Sequence, residues 1–187
     1  MQDSKPPSVK KQWPYFLLVF AVPVTAVLWW WGLFSAAEVE TETRGNYRYA
    51  YLDAVGAYSK LESKQKEVLA ALDSQGIAAG AQLTVMQSDP RTTPYKELHA
   101  QTGFVIDDKS VPQPPLKLGT IPVREVVSAT IKAHPLFAYG KTYSALLDYT
   151  EAHDMTLHLP TVEIYENSVL RVEMPRTAAT DDQGAPR

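Results

Sequence analysis

The sequence of 187 residues contains no cysteine. Disulfide scaffolds, thiol catalysis and zinc–thiolate sites are therefore excluded. Its four histidines are dispersed, and no set of Asp, Glu and His has the spacing of a metal site. The chain also lacks a P-loop, a dinucleotide-binding fingerprint and a nucleophile elbow. We therefore expect no metal and no cofactor, and these patterns assign no catalytic residue.

A basic surface is also missing. Three lysines and Asp3 precede Glu38, and taking them from the totals of 18 basic and 21 acidic residues leaves 15 and 20. The part of the chain that follows therefore has a net charge of −5. A protein that binds nucleic acid usually carries a positive patch, so we expect no nucleic-acid partner.

Residues 13–34 carry no charged side chain and read WPYFLLVFAVPVTAVLWWWGLF. As a helix with a rise of about 1.5 Å per residue, this segment would extend over about 33 Å, close to the hydrocarbon thickness of a bilayer. Tryptophans lie at both ends, as in the aromatic belts of membrane proteins. The segment predicts a transmembrane helix that contacts membrane lipid.

Two other interpretations of this segment stay open: a cleaved signal peptide that ends near Ala37, and a buried core helix. The apolar part of a signal peptide is usually about 7–15 residues long, which is shorter than this segment. Lysines precede the segment and glutamates follow it. By the positive-inside rule, we expect the N-terminus to lie in the cytoplasm and the domain on the periplasmic or extracytoplasmic side of the inner (cytoplasmic) membrane.

The rest of the chain shows the same order of elements twice, which predicts one domain made of two β-α-β-β halves. A helix from Gly56 to about Gln75 follows a first strand, and a second helix runs from about Ala138 to His153. The fold class is therefore α+β: an antiparallel sheet with two helices on one face, and a cleft between the halves. The predicted boundaries are a cytoplasmic tail 1–12, the transmembrane helix 13–34, a linker 35–45, the domain 46–175 and a disordered tail 176–187.

The order of these elements and their turn residues resembles the GyrI-like small-molecule-binding domain, which is also the effector-binding module of AraC-type and MerR-type multidrug regulators. The resemblance is carried by Gly56-Ala57-Tyr58, by Ser74-Gln75-Gly76-Ile77, by Ser88-Asp89-Pro90, by Ile121-Pro122 and by Glu163-Ile164-Tyr165. It implies a cleft lined by aromatic side chains, with an acidic residue that faces cationic, lipophilic ligands. The membrane helix stands where such regulators carry DNA-binding helices.

The acidic residue that the resemblance implies is Glu163, which interrupts an apolar strand. Period-2 alternation places Glu163 on the same face as Thr161 and Tyr165. A solvent-facing glutamate is the alternative. Tyrosines combine a flat apolar face with a hydroxyl, which suits a cleft for varied small molecules, although core packing explains a single tyrosine equally well. The expected ligand-binding residues are Glu163, Tyr165, Tyr139, Tyr143 and Tyr49.

Three functions remain open from the sequence. The first is a membrane-anchored protein that binds small molecules, lipophilic cations among them. The second is a hydrolase of reactive small molecules in which Glu163 acts as the acid or base; related hydrolases often pair this group with a tryptophan, which the chain lacks after Trp31. The third is an adaptor for protein interactions. Whether the chain is an enzyme is therefore left undecided.

Overall fold

The computed structural model describes residues 13–177 of the chain. It has an α+β fold with an eight-stranded antiparallel sheet and three helices, which confirms the predicted fold class. The cytoplasmic tail predicted for 1–12 and most of the disordered tail predicted for 176–187 lie outside the described residues. The helices are α1 (Trp13–Trp30), α2 (Leu61–Ser74) and α3 (Pro135–Ala152), and the strands are β1 (Glu38–Arg44), β2 (Tyr47–Val55), β3 (Gln82–Met86), β4 (His99–Val105), β5 (Lys117–Ile121), β6 (Arg124–Lys132), β7 (Thr161–Glu166) and β8 (Val169–Pro175).

The two predicted halves are present as β2-α2-β3-β4 and β6-α3-β7-β8. Their third elements, β3 and β7, pair in an antiparallel register at the centre of the strand order β1-β6-β8-β7-β3-β4-β2-β5. Thr84 on β3 lies opposite Glu163 on β7. The centre of the sheet is therefore the place where the two halves meet.

Strand β1 lies within the segment that the sequence predicts to be a linker. Its glutamates, Glu38, Glu40 and Glu42, alternate with Val39 and with two threonines, and the whole strand pairs with β6 at one edge of the sheet. This alternation is a strand pattern, but the repeated negative charge resembles a solvated linker. Charged residues on an edge strand are common because they prevent pairing with other chains.

The sheet is strongly curled. Only Gly45 and Asn46 separate β1 from β2, although these strands lie near opposite ends of the strand order. Gly45 has φ +132°, and a Cβ there would lie 2.1 Å from the carbonyl oxygen of Pro122, so the connection requires glycine. The curl also brings Tyr47 on β2 to Glu173 on β8, and the tyrosine hydroxyl donates to Oε1 at 2.7 Å.

Helices α2 and α3 cover the outer face of the curled sheet. Helix α3 buries Ala138, Leu146 and two threonines against β6 and β8, and α2 buries Val68 and Leu72 against β2 and β4. Each helix therefore packs on its own half of the sheet. The outer face of β3 and β7 lies between the two helices and is not covered by either of them.

Helix α1 ends at Trp30, earlier than the predicted span of 13–34. The chain turns there because Gly32 adopts φ +83° and packs against Ala133. Among residues 13–177, no helix is long and apolar enough to cross a membrane. The described structure therefore does not show the transmembrane helix that the sequence predicts.

The end of α1 is attached to the start of α3. The ring of Trp31 stacks on His134 with the ring centroids 4.5 Å apart, and the His134 amide donates to the Trp31 carbonyl at 2.9 Å. The ammonium group of Lys141 donates to the carbonyl oxygens of Gly32, Leu33 and Ser35. A cation at the C-terminal end of a helix also interacts favourably with the helix dipole.

Candidate functional site

A cavity of about 720 Å³ lies between α2 and α3, above the central strands β3 and β7. Its size is that of a site for a drug-like molecule. Alternate residues of both strands form the floor, and the two helices form the walls. The principal lining residues are Tyr58, Gln65, Thr84, Met86, Tyr139, Tyr143, Leu147, Leu157, Thr161, Glu163 and Tyr165.

Glu163 lies on the floor of this cavity and is 7% exposed. The hydroxyl of Tyr143 on α3 donates to Glu163 Oε1 at 2.7 Å. The Thr161 hydroxyl lies 3.2 Å from the Tyr143 oxygen and can donate to it, since Tyr143 has already donated to Glu163. A chain of two hydroxyl groups therefore orients the carboxyl.

Burial raises the pKa of Glu163 to about 7, and the hydrogen bond from Tyr143 opposes the rise because it favours the charged form. No lysine, arginine or histidine within the described residues forms an ion pair with this carboxyl at 4.0 Å or less. The carboxyl is therefore a negative charge, available near neutral pH, in an otherwise mostly apolar cavity.

The spacing of residues on α3 directs tyrosines into the cavity. Ala138, Thr142, Leu146 and Thr150 recur every fourth residue and face the sheet, so the residues that follow the first three of them, Tyr139, Tyr143 and Leu147, point toward the cavity. Burial raises the pKa of Tyr139 to about 12, and the nearby charge of Glu163 adds to this. Burial likewise raises the pKa of Tyr143 well above its ordinary value. Both phenols therefore stay neutral at physiological pH.

The wall contributed by the first half is more polar. The side-chain amide of Gln65 on α2 donates to the Thr102 hydroxyl at 3.1 Å, and Thr102 lies 2.9 Å from the hydroxyl of Thr84 on the floor. Tyr58, in a 3₁₀ turn before α2, donates to the Ser88 carbonyl at 2.6 Å and so ties this wall to the loop after β3.

Residues 37–178 match the family of the GyrI-like small molecule binding domain. This match covers well over half of the chain. The chain belongs to the GyrI-like family.

Solved structures with the same fold include EcmrR in a complex with DNA, with a TM-score of 0.61 and 11% identity over 89% of this chain and 68% of that chain. The C-terminal domain of EcmrR gives a TM-score of 0.60 and 12% identity over 74% of this chain and 96% of that domain. SAV2435 bound to tetraphenylphosphonium gives a TM-score of 0.53 and 9% identity over 74% of this chain and 93% of that chain. At these identities the likeness shows the shared fold. A search of curated proteins found no match.

Four of the five expected ligand-binding residues line the cavity of this GyrI-like domain: Glu163, Tyr165, Tyr139 and Tyr143. Tyr49 lies on the opposite, inner face of the sheet. Its hydroxyl donates to Gln101 at 2.7 Å, and its ring packs with Leu83 and Val162. Burial raises the pKa of Tyr49 to about 12. Tyr49 is therefore a core residue of the curled sheet and does not contact the cavity.

The sequence analysis did not single out the cavity residues of the first half, which include Tyr58, Gln65, Thr84 and Met86. One signal could have found two of them. Period-2 alternation places Thr84 and Met86 on one face of β3, and in the structure they lie opposite Glu163 and Thr161 on β7.

A metal-dependent reaction has no apparent ligand set in residues 13–177, which contain no group of three His, Asp or Glu side chains able to hold a metal ion. Glu163 is the buried carboxyl on the floor of the cavity. Its carboxylate can balance the charge of an organic cation. Near neutral pH it can also accept a proton or donate one.

Proposed function

We propose that this GyrI-like domain binds small lipophilic cations in its cavity, with Glu163 as the counter-charge. One observation carries the proposal: a carboxyl that is 7% exposed, and that has no ion-pair partner in the described part of the chain, lies on the floor of a cavity with aromatic and aliphatic walls. Tyrosine faces attract cations as well, because the ring faces are electronegative. The fold neighbour SAV2435, whose structure holds tetraphenylphosphonium, supports the same ligand class.

The test is titration of the full chain, in detergent, with tetraphenylphosphonium. Glu163→Gln keeps the shape of the side chain and removes the negative charge, so affinity should fall by at least about tenfold at pH 8. Glu166→Gln is a matched control, because Glu166 is exposed on the same strand. The proposal is wrong if Glu163→Gln binds as tightly as the wild-type protein.

A second candidate function is hydrolysis of reactive electrophiles, and the pKa of about 7 for Glu163 favours it. A general base works best when its pKa lies near the operating pH. With an epoxide such as styrene oxide, water would attack the ring carbon while Glu163 takes a proton from the water, and the opened alkoxide would then receive that proton. If the wild-type protein produces diol no faster than Glu163→Gln, this function is excluded.

We also propose that the N-terminal segment tethers the domain to the inner membrane, with the N-terminus in the cytoplasm and the domain on the periplasmic side. The support is the uncharged sequence 13–34, its flanking charges and the exposure of apolar side chains along α1, where Trp30 is 89% exposed. Deleting residues 2–35 should move the protein from the membrane fraction to the supernatant. Proteolysis of the full protein in spheroplasts but not in intact cells would support the orientation, and protection in both would contradict it.

A further inference from the structure

Among residues 13–177, four charged residues line the cavity: Glu62, Asp89, Arg91 and Glu163. Two of the three carboxylates are already neutralised by a basic side chain. Lys66 donates to Glu62 at 2.7 Å on the exposed surface of α2, and Arg91 is paired with Asp89 at the rim. Glu163 therefore supplies the one negative charge that these pairs leave uncompensated.

The ion pair of Asp89 and Arg91 at the rim is bidentate. Nε of Arg91 donates to Asp89 Oδ1 at 3.0 Å, and Nη2 donates to Oδ2 at 2.6 Å. The amide of Arg91 also donates to Oδ1 at 2.9 Å, so both carboxylate oxygens are bonded. The Asp89 side chain is 14% exposed and that of Arg91 is 52% exposed, so the carboxylate is largely covered while the guanidinium stays in contact with solvent.

Asp89 and Glu163 line the same cavity. Tyr58 lines it with them, and its hydroxyl donates to the carbonyl of Ser88, the neighbour of Asp89 in the chain. An unpaired Asp89 would therefore provide a second negative charge within reach of a ligand that already contacts Glu163. Arg91 removes that second charge.

We propose that Arg91 sets the charge selectivity of the cavity, so that the domain prefers organic cations with one positive charge over those with two. This inference rests on the proposed function, because it specifies the ligand class of the same site. A second positive charge in the ligand would lose water on entering the cavity and would find no free carboxylate there.

The experiment compares two probes of nearly the same shape. N-methyl-4-phenylpyridinium carries one positive charge, and N,N′-dimethyl-4,4′-bipyridinium carries two. In calorimetric titrations of the full chain at pH 8, the wild-type protein should bind the first at least about tenfold more tightly. Arg91→Met frees Asp89 while keeping the side-chain bulk, so it should reduce this preference by about tenfold or reverse it.

Two controls identify the cause. The double variant Asp89→Asn/Arg91→Met lacks the freed carboxylate and should regain much of the preference for the single charge. Lys66→Met frees Glu62, which is 75% exposed and screened by water, so it should leave the preference unchanged. Melting temperatures confirm that each variant is folded.

The outcomes separate this inference from the proposed function. If Glu163→Gln weakens binding of the singly charged probe but Arg91→Met leaves the ratio of affinities unchanged, the charge selectivity is wrong and the proposed function stands. If the wild-type protein binds both probes with equal affinity, the inferred charge selectivity is also wrong and the proposed function again stands. If neither probe binds the wild-type protein at millimolar concentration, both proposals are wrong.

Discussion

At the scale of single residues, Glu163 makes the stability of the protein depend on pH. In the unfolded chain its carboxyl is hydrated with a pKa near the ordinary value of 4.5, and folding raises that pKa to about 7. Between these pH values the folded state keeps a proton that the unfolded state has released. The contribution of Glu163 to stability is therefore fully present below about pH 4.5 and is lost as the pH rises through about 7.

We expect Glu163→Gln to remove this loss. One pKa unit corresponds to about 1.4 kcal/mol, so the variant should gain roughly 3 kcal/mol in unfolding free energy relative to the wild type between pH 4.5 and pH 8. Urea denaturation at a series of pH values measures the difference. Glu166→Gln should follow the wild type, and equal pH slopes for Glu163→Gln and the wild type would contradict the assignment of the buried carboxyl.

The pH dependence of ligand binding should report the same group. Tetraphenylphosphonium should bind more weakly as the pH falls below 7, by up to about tenfold per pH unit, because the proton competes with the cation for Glu163. Tyr143→Phe removes the hydrogen bond that favours the charged carboxylate, so the midpoint of this pH profile should move upward. Tyr139→Phe should leave the midpoint near that of the wild type, and an equal shift in both variants would argue against a specific role of Tyr143.

At the scale of elements, one glycine in the sheet and one in a covering helix should respond to substitution by alanine in opposite ways. A Cβ at Gly103 on β4 would lie 1.8 Å from the Ala50 carbonyl oxygen, whereas a Cβ at Gly140 on α3 would meet nothing within 4 Å. Gly103→Ala should therefore destabilise the protein by about 1–3 kcal/mol, and Gly140→Ala should stabilise it by about 1 kcal/mol. Thermal or urea unfolding of both variants measures this, and equal effects would contradict the packing at Gly103.

The helices and most strands could be predicted because their apolar residues recur at regular spacing. Alternation along β7 also identified the residues that share a face with Glu163. Alternation does not say which face of a strand a helix covers. Tyr49 and Tyr165 both lie on aromatic strands, yet Tyr49 points to the inner face and Tyr165 to the cavity. The pairing of Asp89 with Arg91 likewise depends on the geometry of a loop, which the sequence pattern does not define.

At the scale of the whole molecule, each half completes the sheet of the other. Strand β1 precedes the first half but pairs with β6 of the second, and β5 lies just before the second half but pairs with β2 of the first. The two central strands, β3 and β7, also pair across the boundary. Neither half can satisfy its backbone hydrogen bonds alone.

We therefore expect residues 36–110 and 111–177, expressed separately, to lack cooperative unfolding, and to regain it when they are mixed. Circular dichroism during urea denaturation measures this. A sigmoidal transition in either fragment alone would show that one half is an independent folding unit.

The pairing of β1 with β6 also has a consequence for synthesis on the ribosome. Strand β1 pairs with residues 124–130, which are synthesised roughly 80 residues after it. At about 5–20 residues per second, β1 therefore stays unpaired for several seconds or more. An open edge is a template for aggregation. The glutamates at positions 38, 40 and 42, which made this strand resemble a linker, give the nascent chain a repulsive charge during that interval.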